Sequence, residues 1–343
     1  MRGMAGFLTI LAAALLLTSA TGDEPKKKPK QKEQVTDTKG QGRAVLWRYP
    51  VDIAARNLYY GPGGKKDVPA GTFTFQKEDL GGSSPKFDVV DQQGVRWRVK
   101  MGDEAGPETA ASRLVWAVGY FTNEDYFVST LQVKGMGTLQ RGRTLVKPGG
   151  LVSNVRLKRY LANEKKVGTW AWANGPFAGT REWNGLRVLM AVINNWDLKD
   201  ENNAVYQVRG PQGPEQIYMV SDLGASFGTI GLSWTRHGSK GNLSAYSHSK
   251  LIRHLTLEYV DFYVPSRPAL IRFPSPHELS LRLGLRWIAL GVPRADARWM
   301  GDLLANLSPQ QIRDAFRAAG YSPEQVEGFS EVVEKRIAEL RAL

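Results

Sequence analysis

Four short stretches of this sequence carry residue types and spacings suited to holding phosphate and a divalent cation. Lys100 ends the alternating run Val95-Arg96-Trp97-Arg98-Val99-Lys100, and Glu104 and Glu108 follow at the start of a helical pattern. A strand lysine that contacts phosphates must be held by a carboxylate, and a helix behind the sheet delivers one. Taken alone, Lys100 reads more readily as an edge-strand lysine closing a hairpin. The second stretch is the polar loop Asn194-Asn195-Trp196-Asp197-Leu198-Lys199-Asp200-Glu201-Asn202-Asn203, entered from an apolar helix. Asp197 and Asn202, five residues apart, place a carboxylate and an amide oxygen on one loop, groups able to take a proton or hold a cation. A plain helix-ending turn uses the same residue types. A calcium loop fits poorly, because Lys199 falls on a ligand position and a central glycine is missing.

The third stretch is Met219-Val220-Ser221-Asp222-Leu223-Gly224, an apolar strand ending in an aspartate close enough to Asn202 for a hairpin to join them. That aspartate offers a further carboxylate beside the loop, of the kind that binds a divalent cation. The fourth is Leu80-Gly81-Gly82-Ser83-Ser84-Pro85-Lys86. Small residues let backbone N–H groups approach phosphates closely, although an ordinary hairpin loop has the same composition.

The elements around these stretches follow from hydrophobic period. Alternation at 72–75, 86–91 and 95–100, with a Gln93-Gly94 turn, predicts strands and a hairpin over 86–100. Pro107 suits the first turn of a helix whose apolar positions Ala110, Ala111, Leu114, Val115 and Val118 lead to Gly119. A strand over 127–133, a helix over 182–194, and short strands at 202–208 and 217–220 come next. Ser308-Pro309-Gln310-Gln311 and Ser322-Pro323-Glu324-Gln325 each offer an N-cap, an N1 proline and a glutamine at N3, so two helices close the chain. The expected fold is α+β and two-lobed, with a β-rich lobe over 44–135 and a mainly helical lobe over 136–343.

With 343 residues, 42% of them hydrophobic, the chain is long enough for such a domain. It has no cysteine, which excludes disulfides, a thiolate nucleophile and a Cys-based zinc site. The four histidines show no H-E-x-x-H spacing. Arg2, the apolar run Phe7 to Leu17, and the small residues Thr18 to Gly22 read as an export signal over 1–22. An uncleaved anchor is the other reading. Residues 23–43 form a Lys-, Gln- and Pro-rich linker, expected to be disordered. The chain is therefore expected to be exported, to a periplasmic or extracellular place, with no membrane span once the signal is removed. Of the formal net charge of +13, about +9 remains on the body and suits anionic partners. No RNP motif, zinc finger or helix-turn-helix signature points to specific nucleic-acid binding.

In their order and on these elements, the four stretches resemble the protein-kinase-like superfamily. The resemblance is nearest to the atypical branch of HipA-like serine kinases and phosphatidylinositol 3- and 4-kinases. Glu108, Ala111, Leu114 and Gly119 reproduce that branch's helix pattern, and Asn195, Asp197 and Asn202 its catalytic loop. It covers about residues 80–230. The resemblance implies that Lys100, held by Glu108 with Glu104 in reserve, contacts nucleotide phosphates beneath the Gly81-Gly82-Ser83 loop. It implies Asp197 as the catalytic residue and Asn202 and Asp222 as Mg²⁺ or Mn²⁺ ligands. Two departures stand out: the loop is not a full G-x-G-x-x-G, and Leu198 and Lys199 replace the usual Arg or His beside the aspartate. The expected function is an exported kinase-like transfer from ATP or another nucleotide to a hydroxyl on a protein, lipid or small molecule. The alternative is a catalytically inactive kinase-fold envelope protein that binds an anionic ligand, helped by exposed tryptophans such as Trp170 and Trp172.

Overall fold

The computed structural model describes residues 42–228, 240–263 and 284–343. The expected signal, the expected linker as far as residue 41, and the first half of the Gly/Ser-rich stretch 229–250 lie outside the described residues, while Arg43 at the linker's end pairs as a strand with Glu215.

The first sheet contains β2 (Phe73–Asp79), β3 (Lys86–Val90), β4 (Arg96–Lys100), β5 (Asp125–Lys134), β6 (Val146–Lys147) and β7 (Leu151–Arg159); β1 (Arg43–Val45) belongs to another sheet. Its order is β4-β3-β2-β5-β7-β6, and β4 also pairs with β7, so the sheet closes on itself. Alternation along each strand decides what faces in. Phe87, Val89, Trp97, Val99, Val155 and Leu157 are buried in the interior cluster. Lys86, Arg98, Lys100 and Arg156 occupy the intervening positions and take the outer face.

This sheet runs beyond the boundary expected at residue 135. β7 is antiparallel to both β4 and β5, which carries the β-rich half to Arg159. The strand escapes a period-2 reading because Asn154, at φ 53°, interrupts its alternation.

Helix α1 (Ala105–Ala117) packs on β5 and β7 from outside. Its predicted apolar positions are all buried, and each large one removed from water contributes about 1.5–3 kcal/mol. Gly119 ends it at φ +97°, where a Cβ would lie 2.2 Å from the Arg48 carbonyl oxygen. The chain near Trp47 can therefore strap the helix end, with Trp47 Nε1 donating to the Val118 carbonyl at 2.7 Å.

A four-stranded sheet follows in the order β1-β10-β9-β8, where β8 is Lys165–Gly168, β9 is Asn203–Gly210 and β10 is Gly213–Val220. The later helices are α2 (Arg181–Val192), α3 (Leu243–Ser247), α4 (Arg294–Leu304), α5 (Pro309–Arg317) and α6 (Pro323–Arg341). A small sheet of β11 (Ile252–Leu255), β12 (Tyr259–Phe262) and β13 (Val292–Pro293) lies among them. Both tail helices begin with the expected capping boxes, Ser308 with Gln311 and Ser322 with Gln325. Among the described residues, no helix is long and apolar enough to cross a membrane.

Candidate nucleotide and cation site

Lys100 is the last residue of β4, and its side chain leaves the outer face of the sheet beside α1. It is buried, and three carboxylates meet its ammonium. Glu108 Oε2 lies at 2.9 Å, Glu104 Oε2 at 2.5 Å and Asp222 Oδ1 at 3.0 Å. The choice between Glu104 and Glu108 therefore dissolves: residues 104 and 108 are one helical turn apart, and both reach the same nitrogen. Burial alone would pull the Lys100 ammonium down. The facing Glu108, Asp222 and Glu104 outweigh it and hold the pKa above the ordinary lysine value.

Arg156 of β7 is the cross-strand neighbour of Lys100, and its guanidinium bonds Glu108 Oε1. Glu108 is thus gripped by two cations, both nearly fully buried. The sequence reading missed Arg156. The alternation of Arg156 and Lys158 with Val155 and Leu157 marks a charged outer face, but nothing local names the partner across the fold. Among the described residues, Arg156 Nε and Nη1 have no hydrogen-bond partner, so the pairing is charge-driven and incompletely satisfied there.

The loop Leu80–Pro85 joins β2 to β3 beside this cluster. Ser84 Oγ donates to Glu104 Oε2 at 2.7 Å. A Cβ on Gly82, which sits at φ +63°, would lie 3.5 Å from Lys86 Nζ. The expected phosphate cradle is partly committed already: the Gly81 N–H donates to Asp79 Oδ1 at 2.8 Å, and Arg141 Nη2 donates to the Gly81 carbonyl at 3.1 Å. The Gly82 and Ser83 N–H groups have no acceptor among the described residues.

The catalytic-loop residues are positioned differently. The chain leaves α2 through Asn194, in the left-handed region at φ 56°. Arg336 of α6 ties the end of α2, donating to the Ala191 and Val192 carbonyls at 3.0 and 2.8 Å. Asn195 Oδ1 accepts the Asp197 N–H at 3.1 Å, and Asn202 Nδ2 donates to the Asp197 carbonyl at 2.5 Å. The Asn202 carbonyl in turn accepts the N–H groups of Ser221 and Asp222 at 2.8 and 3.0 Å. β9 and β10 start and end at this point, since Asn203 pairs with Val220. The hairpin expected from spacing therefore sets Asp197, Asn202 and Asp222 in one chain of contacts. Lys199 Nζ lies 3.6 Å from Asp197 Oδ1.

Burial would raise the Asp222 carboxyl, but Lys100 and the Gly224 N–H hold it below the ordinary aspartate value. Its Oδ1 takes Lys100 and Gly224, and no hydrogen bond among the described residues reaches Oδ2. Asn202 has its amide nitrogen committed, which leaves Oδ1. One amide oxygen and one carboxylate oxygen are a donor set that suits Mg²⁺ or Mn²⁺, which take oxygen ligands and complete their shells with water and substrate phosphate. Glu104, Glu108 and Asp222 also converge within 4.8 Å, but the Lys100 ammonium bonds all three, so that trio is an ion-pair cluster and not a metal cage.

A strand lysine clamped by a helix carboxylate, an Asp/Asn loop and an aspartate ending the next hairpin define a kinase-like arrangement on an α+β fold. No protein-family model matches the sequence, and no curated protein matches it. Among solved structures, the Helicobacter pylori proinflammatory kinase CtkA aligns at a TM-score of 0.45 and 10% identity, over 80% of this chain and 97% of that one. A Golgi casein kinase aligns at 0.34 and 7% identity, over 80% of this chain and 72% of its own. The functional reading rests on the side-chain geometry and not on these likenesses.

Proposed function

We propose that this chain is a kinase-like phosphotransferase that moves a phosphoryl group from a metal-bound nucleotide, ATP first, to a hydroxyl acceptor. The observation that carries the reading is Lys100, held between Glu108 and Asp222, with Asp222 joined through Asn202 to Asp197. Phosphoryl transfer asks a protein mainly for positioning and charge neutralisation, and these residues offer both. Lys100 would hold donor phosphates. Asn202 Oδ1 and Asp222 Oδ2 would hold Mg²⁺ or Mn²⁺, which would screen the phosphate charge. Asp197 would orient the acceptor hydroxyl and take its proton, with Lys199 beside it facing the transferred group.

Membership of the HipA-like and phosphatidylinositol-kinase branch, and export directed by residues 1–22, are part of the same proposal. The acceptor class stays open among protein, lipid and small molecule. The inactive, anion-binding alternative loses its supposed aromatic surface. Trp170 and Trp172 are both buried, their rings 4.9 Å apart.

The test is thermal unfolding of the full chain with ATP, with Mg²⁺ or Mn²⁺, and with both, beside Asp222→Ala. A stabilisation that needs both ligands and disappears in the variant supports the reading. No stabilisation by any nucleotide overturns it and leaves an anion-binding protein on this scaffold.

A further inference from the structure

Glu104 is more than a second partner for Lys100. Three donors from three separate segments converge on its carboxylate. Lys100 Nζ reaches Oε2 at 2.5 Å from the end of β4, and Ser84 Oγ reaches the same oxygen at 2.7 Å from the β2–β3 loop. Lys240 Nζ bonds Oε1 from beyond the Asp222-Leu223-Gly224 stretch, while lying 5.6 Å from the Trp196 ring centroid over the catalytic loop. Two ammonium groups and a hydroxyl closing on a pair of anionic oxygens form the donor set of a phosphate site.

Three further observations separate this carboxylate from an ordinary structural one. Glu104 is the N-cap residue of α1, and its carboxylate accepts no helix N–H but turns into the site instead. Lys100 already has two other carboxylates, Glu108 and Asp222, so Glu104 is the third on that ammonium. Room has been made for it as well: a Cβ on Gly224 would lie 2.8 Å from Glu104 Cβ, so the backbone after Asp222 can close on Glu104 only with glycine there.

We infer that the Glu104 carboxylate is a built-in occupant of the donor-phosphate subsite, seated on Lys100, Ser84 and Lys240, and that a nucleotide must displace it to bind. The inference rests on the proposed nucleotide function and adds a self-blocked ground state to it. Displacement frees Lys240, the serine and one bonding position on Lys100 for phosphate oxygens, and the released glutamate turns outward from the N-cap of α1. Because only the displaced fraction is competent, the apparent affinity is reduced by that fraction, and removing the occupant restores it. Burial alone would raise the Glu104 carboxyl; Lys100 and Lys240 outweigh it and keep the carboxylate ionised, a competent phosphate mimic.

The experiment titrates the full chain with ATP plus Mg²⁺, and separately with inorganic pyrophosphate, by calorimetry, in wild type, Glu104→Ala and Glu104→Gln. The expected result is tighter binding of both ligands in Glu104→Ala, by about tenfold or more, as removal of a competing state requires. Glu104→Gln keeps the shape without the charge and falls between; it also serves if the alanine variant does not fold. Unchanged or weaker binding in the variants, with wild type binding normally, overturns the occupant role and makes Glu104 a positioning partner of Lys100. Absence of binding of either ligand to all three proteins overturns the phosphate site itself, and this inference with it.

Discussion

Around Lys100 the site is held by side-chain charge: Glu108, Glu104 and Asp222 surround one ammonium, and Arg156 holds Glu108 from its other oxygen, most of them out of water. Around Asp197 it is held by hydrogen bonds from neutral and charged side chains to the main chain. Asn195, Asn202 and the carbonyls at the end of α2 fix the loop through hydrogen bonds. The difference teaches where stability and chemistry are coupled. A buried ion pair broken on one side leaves an uncompensated charge, whereas a loop side chain can change while its backbone bonds persist. The charged half should therefore resist substitution, and the loop half should tolerate it structurally while losing function.

That contrast is sharpest at Glu108. Glu108→Ala strands Arg156 and removes a partner of Lys100, so chemical denaturation should show a loss of about 3–5 kcal/mol. A loss under about 1 kcal/mol would mean that the cluster is not cooperative. Asp222→Ala comes next: the stabilisation from metal and ATP at about 100 times Kd, roughly 2.7 kcal/mol, should vanish. Asn202→Ala removes one hydrogen bond to the Asp197 carbonyl and should cost about 1 kcal/mol in the same melts, together with a weaker metal response. Asp197→Asn should alter stability by no more than about 0.5 kcal/mol. Its turnover should nonetheless fall by about 100-fold or more, the scale of a lost general base, and unchanged turnover would remove Asp197 from the chemistry.

The smallest effect is on pH. The folded Glu104 carboxyl lies below the ordinary glutamate value of 4.5, because its two lysines outweigh burial. Its contribution to stability is therefore present above that value and is lost as pH falls through the folded value. Acid unfolding of Glu104→Gln should have a shallower limb below that value than wild type; identical limbs would show that Glu104 is not ionically held.

Much of this was legible in the sequence, and the legible part is local. The hairpin over 86–100 and the helix after Lys100 could be read because each expresses its own hydrophobic period. The two capping boxes could be read because side-chain and backbone bonds three residues apart specify them. The spacing of Asp197, Asn202 and Asp222 was readable for the same reason, since a hairpin brings those residues together within one stretch of chain.

Tertiary structure alone decided what lies far apart in sequence. β7 joined the first sheet because its edges matched β4 and β5, a pairing that no local pattern through the left-handed Asn154 announces. Arg156 met Glu108, and Ser84 and Lys240 met Glu104, only because sheet closure and the packing of α1 set three distant segments against one helical turn. Sequence fixes which side chains carry charge, through composition and period. Which charges meet is set by the burial that draws them together, and burial belongs to the whole fold.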